Sequence, residues 1–104
     1  MTKDERQFQQ AVRSLGCIIC KREGWNSEAE IHHMLKNGKR RGEMFVLPLC
    51  PTHHRGGLSG KVTANNPFGF MSRDHSQRRF EQHYGITEDA LLDIVREMVN
   101  AKAG

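Results

Sequence analysis

Two short cysteine and histidine spacings constrain this chain more than any other feature. Cys17-Ile18-Ile19-Cys20 is a Cys-x2-Cys pair, and Cys50-Pro51-Thr52-His53 is a Cys-x2-His pair further along. A two-residue spacing lets one tight turn aim two ligands at a single ion, and two such turns complete a tetrahedron. The four residues use all 3 cysteines of the chain, so the pattern predicts a closed, structural zinc site. In small zinc modules such a site supplies folding free energy of order 10 kcal/mol. Two other readings compete: three unrelated buried cysteines, or thioredoxin-like redox chemistry at Cys17 and Cys20. The redox reading lacks the βαβ surroundings that it needs.

The bulk numbers agree with a metal-stapled domain. At 104 residues and 37% hydrophobic content, the chain predicts one domain with a modest core. A staple helps such a domain most. No apolar run of about 18 residues occurs, which excludes a membrane-spanning helix. The N-terminus, Met1 to Arg6, lacks the apolar stretch of a secretory signal. The expectation is therefore a cytoplasmic protein, where thiols stay reduced and paired cysteines bind metal rather than form disulfides. A net charge of +4 points weakly towards a polyanionic partner.

Periodicity places the elements around these pairs. Phe8, Ala11, Val12 and Leu15 recur at helical spacing over residues 3–15, with Gly16 as the stop. Residues 21–27 read as a loop whose Trp25 is expected to cover the zinc site as a core or lid residue, with base stacking as the rarer alternative. Glu30 to Leu35 and Met44 to Leu47 read as strands of a β-hairpin, joined by a Gly- and Lys/Arg-rich turn at 37–42 and closed by Pro48. Pro51 suits the first position of a helix carrying His53 and His54. Residues 56–74 read as an irregular loop anchored by Phe68, Phe70 and Met71. A helix over 75–84, a stop at Gly85, and a Thr87-capped helix to about Ala101 complete the chain. Leu91, Leu92, Val95, Met98 and Val99 form the buried stripe of that last helix, with Glu88 and Asp89 complementing its dipole.

His32, His33 and His54 lie outside the zinc set. Zinc tying 17–20 to 50–53 would bring His54 near His32-His33. A lone histidine on a strand is usually structural, but three converging ones suit phosphodiester chemistry. One division gives His32 and His54 to a divalent cation and leaves His33 as a general base, since its unperturbed pKa lies near working pH. The competing reading has these histidines merely packing or capping. Lys36, Lys39, Arg40 and Arg41 surround the predicted turn, and Arg55, Lys61, Arg73, Arg78 and Arg79 follow the histidines. They form either a solvated basic face or a surface that tracks phosphates without reading sequence.

The run Glu30-Ile31-His32-His33, followed by Leu49-Cys50-Pro51-Thr52-His53-His54, resembles the ββα-metal (HNH, or His-Me finger) nucleases with an embedded zinc knuckle. The closer resemblance is to the phage and prophage RecA-dependent, or recombination enhancement, nucleases. It is carried by His32-His33, Gly38-Lys39-Arg40-Arg41-Gly42, His53-His54-Arg55-Gly56 and Arg79-Phe80-Glu81 with Tyr84-Gly85. It implies that His32 and His54 bind the catalytic Mg²⁺ or Mn²⁺ and that His33 is the base. His75 is a further candidate, as an extra ligand or a phosphate contact, against the plain reading of a helix-start histidine. The resemblance also implies a recombinase filament on single-stranded DNA as a partner, and with such a centre between the basic clusters Lys39, Arg40, Arg41 and Arg55 are the expected DNA contacts. The central Asn of the motif has no counterpart: Asn37 falls in the turn, and Phe45-Val46-Leu47 contains none.

The expectation is thus a small α+β, zinc-stabilised ββα-metal domain with flanking N- and C-terminal helices. Its core spans 17–56 and its C-terminal helices about 75–101. Its activity would be metal-dependent DNA endonuclease cleavage with weak sequence preference, linked to recombination. The rivals are a non-catalytic zinc-finger DNA-binding or adaptor module, and a redox or metal sensor built on Cys17 and Cys20.

Overall fold

A computed structural model describes residues 1–55 and 77–103. The elements run α1 (Lys3–Ser14), α2 (Ile18–Arg22), β1 (Glu30–His33), β2 (Leu35–Lys36), β3 (Lys39–Arg40), β4 (Val46–Leu49), α3 (Pro51–Arg55), α4 (Gln77–Tyr84) and α5 (Glu88–Ala103). The fold is α+β, with helices on either side of a short strand ribbon in sequence. No helix among the described residues is long and apolar enough to cross a membrane.

The first helix begins on a capping box. The Thr2 amide donates to Glu5 Oε1 at 2.7 Å while the Glu5 amide donates to Thr2 Oγ1 at 3.1 Å. That satisfies two backbone donors that have no partner inside the helix. The predicted stripe is buried as expected: Val12 and Leu15 lie in the core and Phe8 packs against it. Gly16 ends the helix at φ +80°, and an added Cβ would meet the Ser27 carbonyl oxygen at 2.8 Å. Glycine is required at this position both for its backbone conformation and for this close approach. The Cys17 amide donates to that same carbonyl at 3.1 Å, so Gly16 sets where the first cysteine emerges.

The hairpin is more finely built than the sequence predicts. β1 pairs antiparallel with β4, in the register Glu30↔Leu49 to His33↔Val46. Nested inside, β2 pairs with β3, and Met34 links the two ladders through its amide to Phe45 and its carbonyl to Arg41. The tight turn is Asn37-Gly38, both at positive φ (54° and 78°), the requirement of a two-residue hairpin turn. Two expectations need correction. The second long strand is Val46–Leu49 rather than residues 44–47, and Pro48 lies inside it instead of closing it. A two-stranded ribbon leaves each strand one unpaired edge, where a missing N–H costs little. β4 is buried along its whole length because α1, α2, α3 and α5 all pack on it.

The C-terminal helices follow the sequence closely. The Ala90 amide donates to Thr87 Oγ1 at 3.1 Å, the expected cap. Leu91, Leu92 and Val95 are buried, with Met98 and Val99 packed against them. Phe80 of α4 is also fully buried. The expected loop over 56–74, with its anchors Phe68, Phe70 and Met71, lies outside the described residues, as does His75.

Candidate functional site

The two halves of the cysteine and histidine cluster are assembled in the same way. Cys17 caps α2, its Sγ accepting the Cys20 amide at 3.4 Å. Cys50 precedes α3, its Sγ accepting the His53 amide at 3.5 Å. In each half a cysteine closes the first turn of a five-residue helix, and that turn supplies the second ligand three positions on. The two helix starts face each other because β4 carries Cys50 back past the end of α1.

The four donor atoms lie within 4.8 Å of one another, and all four residues are buried. His53 Nδ1 is 3.4 Å, 3.5 Å and 3.1 Å from the sulfurs of Cys17, Cys20 and Cys50, and the Cys20 and Cys50 sulfurs are 3.8 Å apart. Two sulfurs on a tetrahedral ion with bonds of about 2.3 Å must lie about 3.8 Å apart, and a sulfur and a nitrogen about 3.5 Å. The cluster therefore fits a metal ion such as zinc. Its electrostatics point the same way. Cys17's hydrogen bond holds the Cys50 thiol well below its ordinary range, with His53 contributing. The same bond pushes Cys17 up, and burial pushes Cys20 up. Three crowded sulfurs cannot all ionise unless a cation balances them.

The expected cover for this cluster is Trp25, and the structure corrects that. Trp25 is 68% exposed: α2 ends at Arg22, and the chain then turns outwards at Gly24. Tyr84 of α4 does the covering instead, edge-on to His53 at 5.6 Å and to Phe80 at 5.0 Å.

Beside the cluster, α3 brings His54 against His32 of β1, with ring centroids 5.2 Å apart. His33, next along the strand, faces the other way. Each of the three histidines has a glutamate on one ring nitrogen. His32 Nε2 lies 2.9 Å from Glu88 Oε1, a buried pair. His54 Nδ1 lies 3.0 Å from Glu30 Oε1, and His33 Nε2 lies 3.4 Å from Glu43 Oε2. The glutamates are themselves held. Arg55 grips both oxygens of Glu30 and depresses its pKa. Gln9 donates to Glu43 Oε2 and to its carbonyl oxygen, both at 2.9 Å, and that bond is the first cause of Glu43's lowered pKa. Glu81 accepts the Glu88 amide at 2.7 Å. Sequence reasoning missed all three glutamates, and it gave Glu88 only a helix-dipole role. Glu30 alone carried a local signal, lying two residues from His32. Among the described residues, the cysteine cluster is the one place where three or more His, Cys, Asp or Glu ligand atoms converge. At the second set, among the described histidines, the structure joins His32 and His54.

The basic residues divide into two groups. Lys36, Lys39, Arg40 and Arg41 line one shallow groove with Asn37 and Phe45. Lys39 and Arg40 are exposed, whereas Arg41 pairs with Asp89 at 2.6 Å and stacks on Phe45 at 4.5 Å. Arg55 is committed to Glu30. A larger groove, lined by Arg13, Gly16, Lys21, Ser27 and Lys102 among others, contains none of the histidines.

A family model described as "Recombination enhancement, RecA-dependent nuclease" matches residues 1–100. No curated protein and no solved structure matches the chain. The family match spans both the cysteine cluster and the histidines beside it, and covers nearly the whole length. The chain belongs to the recombination enhancement, RecA-dependent nuclease family.

Proposed function

We propose that this chain is a metal-dependent DNA endonuclease of the HNH (ββα-metal) type. One observation carries the reading: strand, nested hairpin, strand and helix bring His32 and His54 to 5.2 Å, directly beside a four-ligand cluster. In this reading Cys17, Cys20, Cys50 and His53 hold a structural Zn²⁺, which anchors the helix carrying His54. His32 and His54 hold the catalytic Mg²⁺ or Mn²⁺, with His75 as a further candidate. Two protein ligands are enough for such an ion, because Mg²⁺-type sites complete their shell with water and substrate phosphate oxygens. When bound, the cation supplies electrostatic stabilisation of the charge that develops on the scissile phosphate and the leaving oxygen.

The chain's own residues do the rest. His33 is half-buried at the end of β1, with Nε2 against Glu43. Its Nδ1 is then the atom that accepts a proton from the attacking water. Lys39 and Arg40 hold the phosphate backbone, with Arg41 and Arg55 as secondary contacts. Nothing in the described residues is shaped to read bases, which fits weak sequence preference. The family description supports a RecA-dependent role in recombination; in this reading the working context is a RecA filament on single-stranded DNA, in the cytoplasm, and the protein is of phage or prophage type. Incubation of the zinc-loaded protein with plasmid DNA, with and without Mg²⁺ or Mn²⁺ and with and without a RecA filament, tests the reading. Nicking or linearisation that needs the added cation is expected. Intact DNA under every condition would leave a DNA-binding zinc module instead.

A further inference from the structure

Three glutamates from three different places in the fold each meet one of the three histidines. Glu30 sits on the same strand as His32, Glu43 in the segment before β4, and Glu88 at the start of α5. The contacts bridge 24, 10 and 56 residues, so no local pattern produces them together. Glu88 is 2% and His32 4% exposed. Burying such a pair is costly unless its geometry is specific, and a well-packed apolar pair would staple α5 to β1 equally well. His83, outside this set, is exposed and meets the edge of Tyr84 instead.

We infer that Glu30, Glu43 and Glu88 are positioning residues that set the tautomer of each histidine. An ionised carboxylate can only accept hydrogen bonds, so the ring nitrogen facing it must carry the hydrogen. His32 and His33 therefore carry hydrogen on Nε2, and His54 on Nδ1. That leaves one lone pair on each ring, at His32 Nδ1, His33 Nδ1 and His54 Nε2. Two of these nitrogens would hold the cation and one would take the proton from water, so the inference rests on the roles proposed above. A carboxylate behind a histidine also orients the ring and raises its basicity. Arg55 and Gln9 belong to the same device, because their hydrogen bonds hold the Glu30 and Glu43 carboxylates in place.

The test is long-range ¹H–¹⁵N NMR of ¹⁵N-histidine-labelled, zinc-loaded protein, at a pH where the imidazoles are neutral. The expected spectrum shows Nε2–H for His32 and His33 and Nδ1–H for His54. The His54 assignment is the sharper one, because free histidine favours the other tautomer. In parallel, Glu43→Ala should lower kcat for plasmid cleavage by about 10- to 100-fold, with KM for DNA and zinc content unchanged. Glu43→Gln keeps an acceptor and should keep the tautomer and more of the rate. Glu88→Ala should do the same at His32 if it folds, and the wild-type spectrum serves where it does not. His54 with hydrogen on Nε2 in an enzyme that cleaves would overturn the inference and leave the nuclease reading standing. Wild-type protein that cleaves nothing with any divalent cation, with or without a RecA filament, would overturn the nuclease reading instead. A Glu43→Ala protein that melts lower but keeps its kcat would reduce Glu43 to a staple and sink the inference.

Discussion

The cysteine cluster and the histidine set lie side by side and share α3, yet they are built on opposite logics. In the cluster, four donors converge within 4.8 Å of one another, a geometry that fits a bound metal ion. In the histidine set the side chains do not converge. Each imidazole is drawn to its own glutamate, and among the described residues of this set only His32 and His54 approach one another. A closed tetrahedron suits a structural ion, while open positions held by oriented histidines suit an ion that must also bind substrate. Neighbouring positions His53 and His54 thus have different surroundings: one is buried in the cluster, the other leans on Glu30.

The comparison breaks most readily at the cluster. Cys50→Ser or Cys17→Ser should release the metal and most of the folded signal, a loss of order 10 kcal/mol in small zinc modules. His53→Ala should behave the same way. Metal content by atomic absorption and a circular-dichroism melt report both. A Cys50→Ser protein that melts like wild type without metal would show that the two regions do not differ as described.

The histidine set should fail in the other direction. His33→Ala should slow plasmid cleavage by about 10² to 10⁴, the usual worth of a general base, while folding and zinc content hold. His54→Ala should also stop cleavage, with partial recovery at high Mn²⁺ because its loss weakens cation binding. If His33→Ala sheds zinc, the division between the two regions collapses.

Smaller effects sharpen the boundary. Gly16→Ala forces a Cβ to 2.8 Å from the Ser27 carbonyl at φ +80°, and should cost about 1–3 kcal/mol. The lower melting temperature should come with weaker zinc retention, since the shift would displace Cys17. Replacing Lys39 and Arg40 together by Ala should flatten the salt dependence of DNA binding by up to roughly two phosphate contacts. Arg41→Ala should flatten it less and destabilise more, because Asp89 and Phe45 already engage that guanidinium; equal slopes would contradict this. Trp25→Ala should change stability by no more than about 0.5 kcal/mol. A large loss would return the covering role from Tyr84 to Trp25.

By itself the sequence determined the cluster, the helix at each end and the strand–turn–strand–helix order. Spacings such as Cys-x2-Cys, the Gly16 stop and the Thr87 cap act within a few residues, where covalent geometry leaves few alternatives. Tertiary structure alone decided which glutamate stands behind which histidine, which aromatic ring covers His53, and which arginines are already engaged. Glu88 lies 56 residues from His32, and α5 must dock on β4 before the two can meet. Trp25 and Tyr84 are both aromatic candidates as letters, and only the packing of α4 chose between them. Pro48 looks like a terminator in the sequence, yet it sits inside a strand because the ribbon has only two strands. Local rules act through bonds along the chain, whereas these pairings depend on where the core brings distant surfaces together.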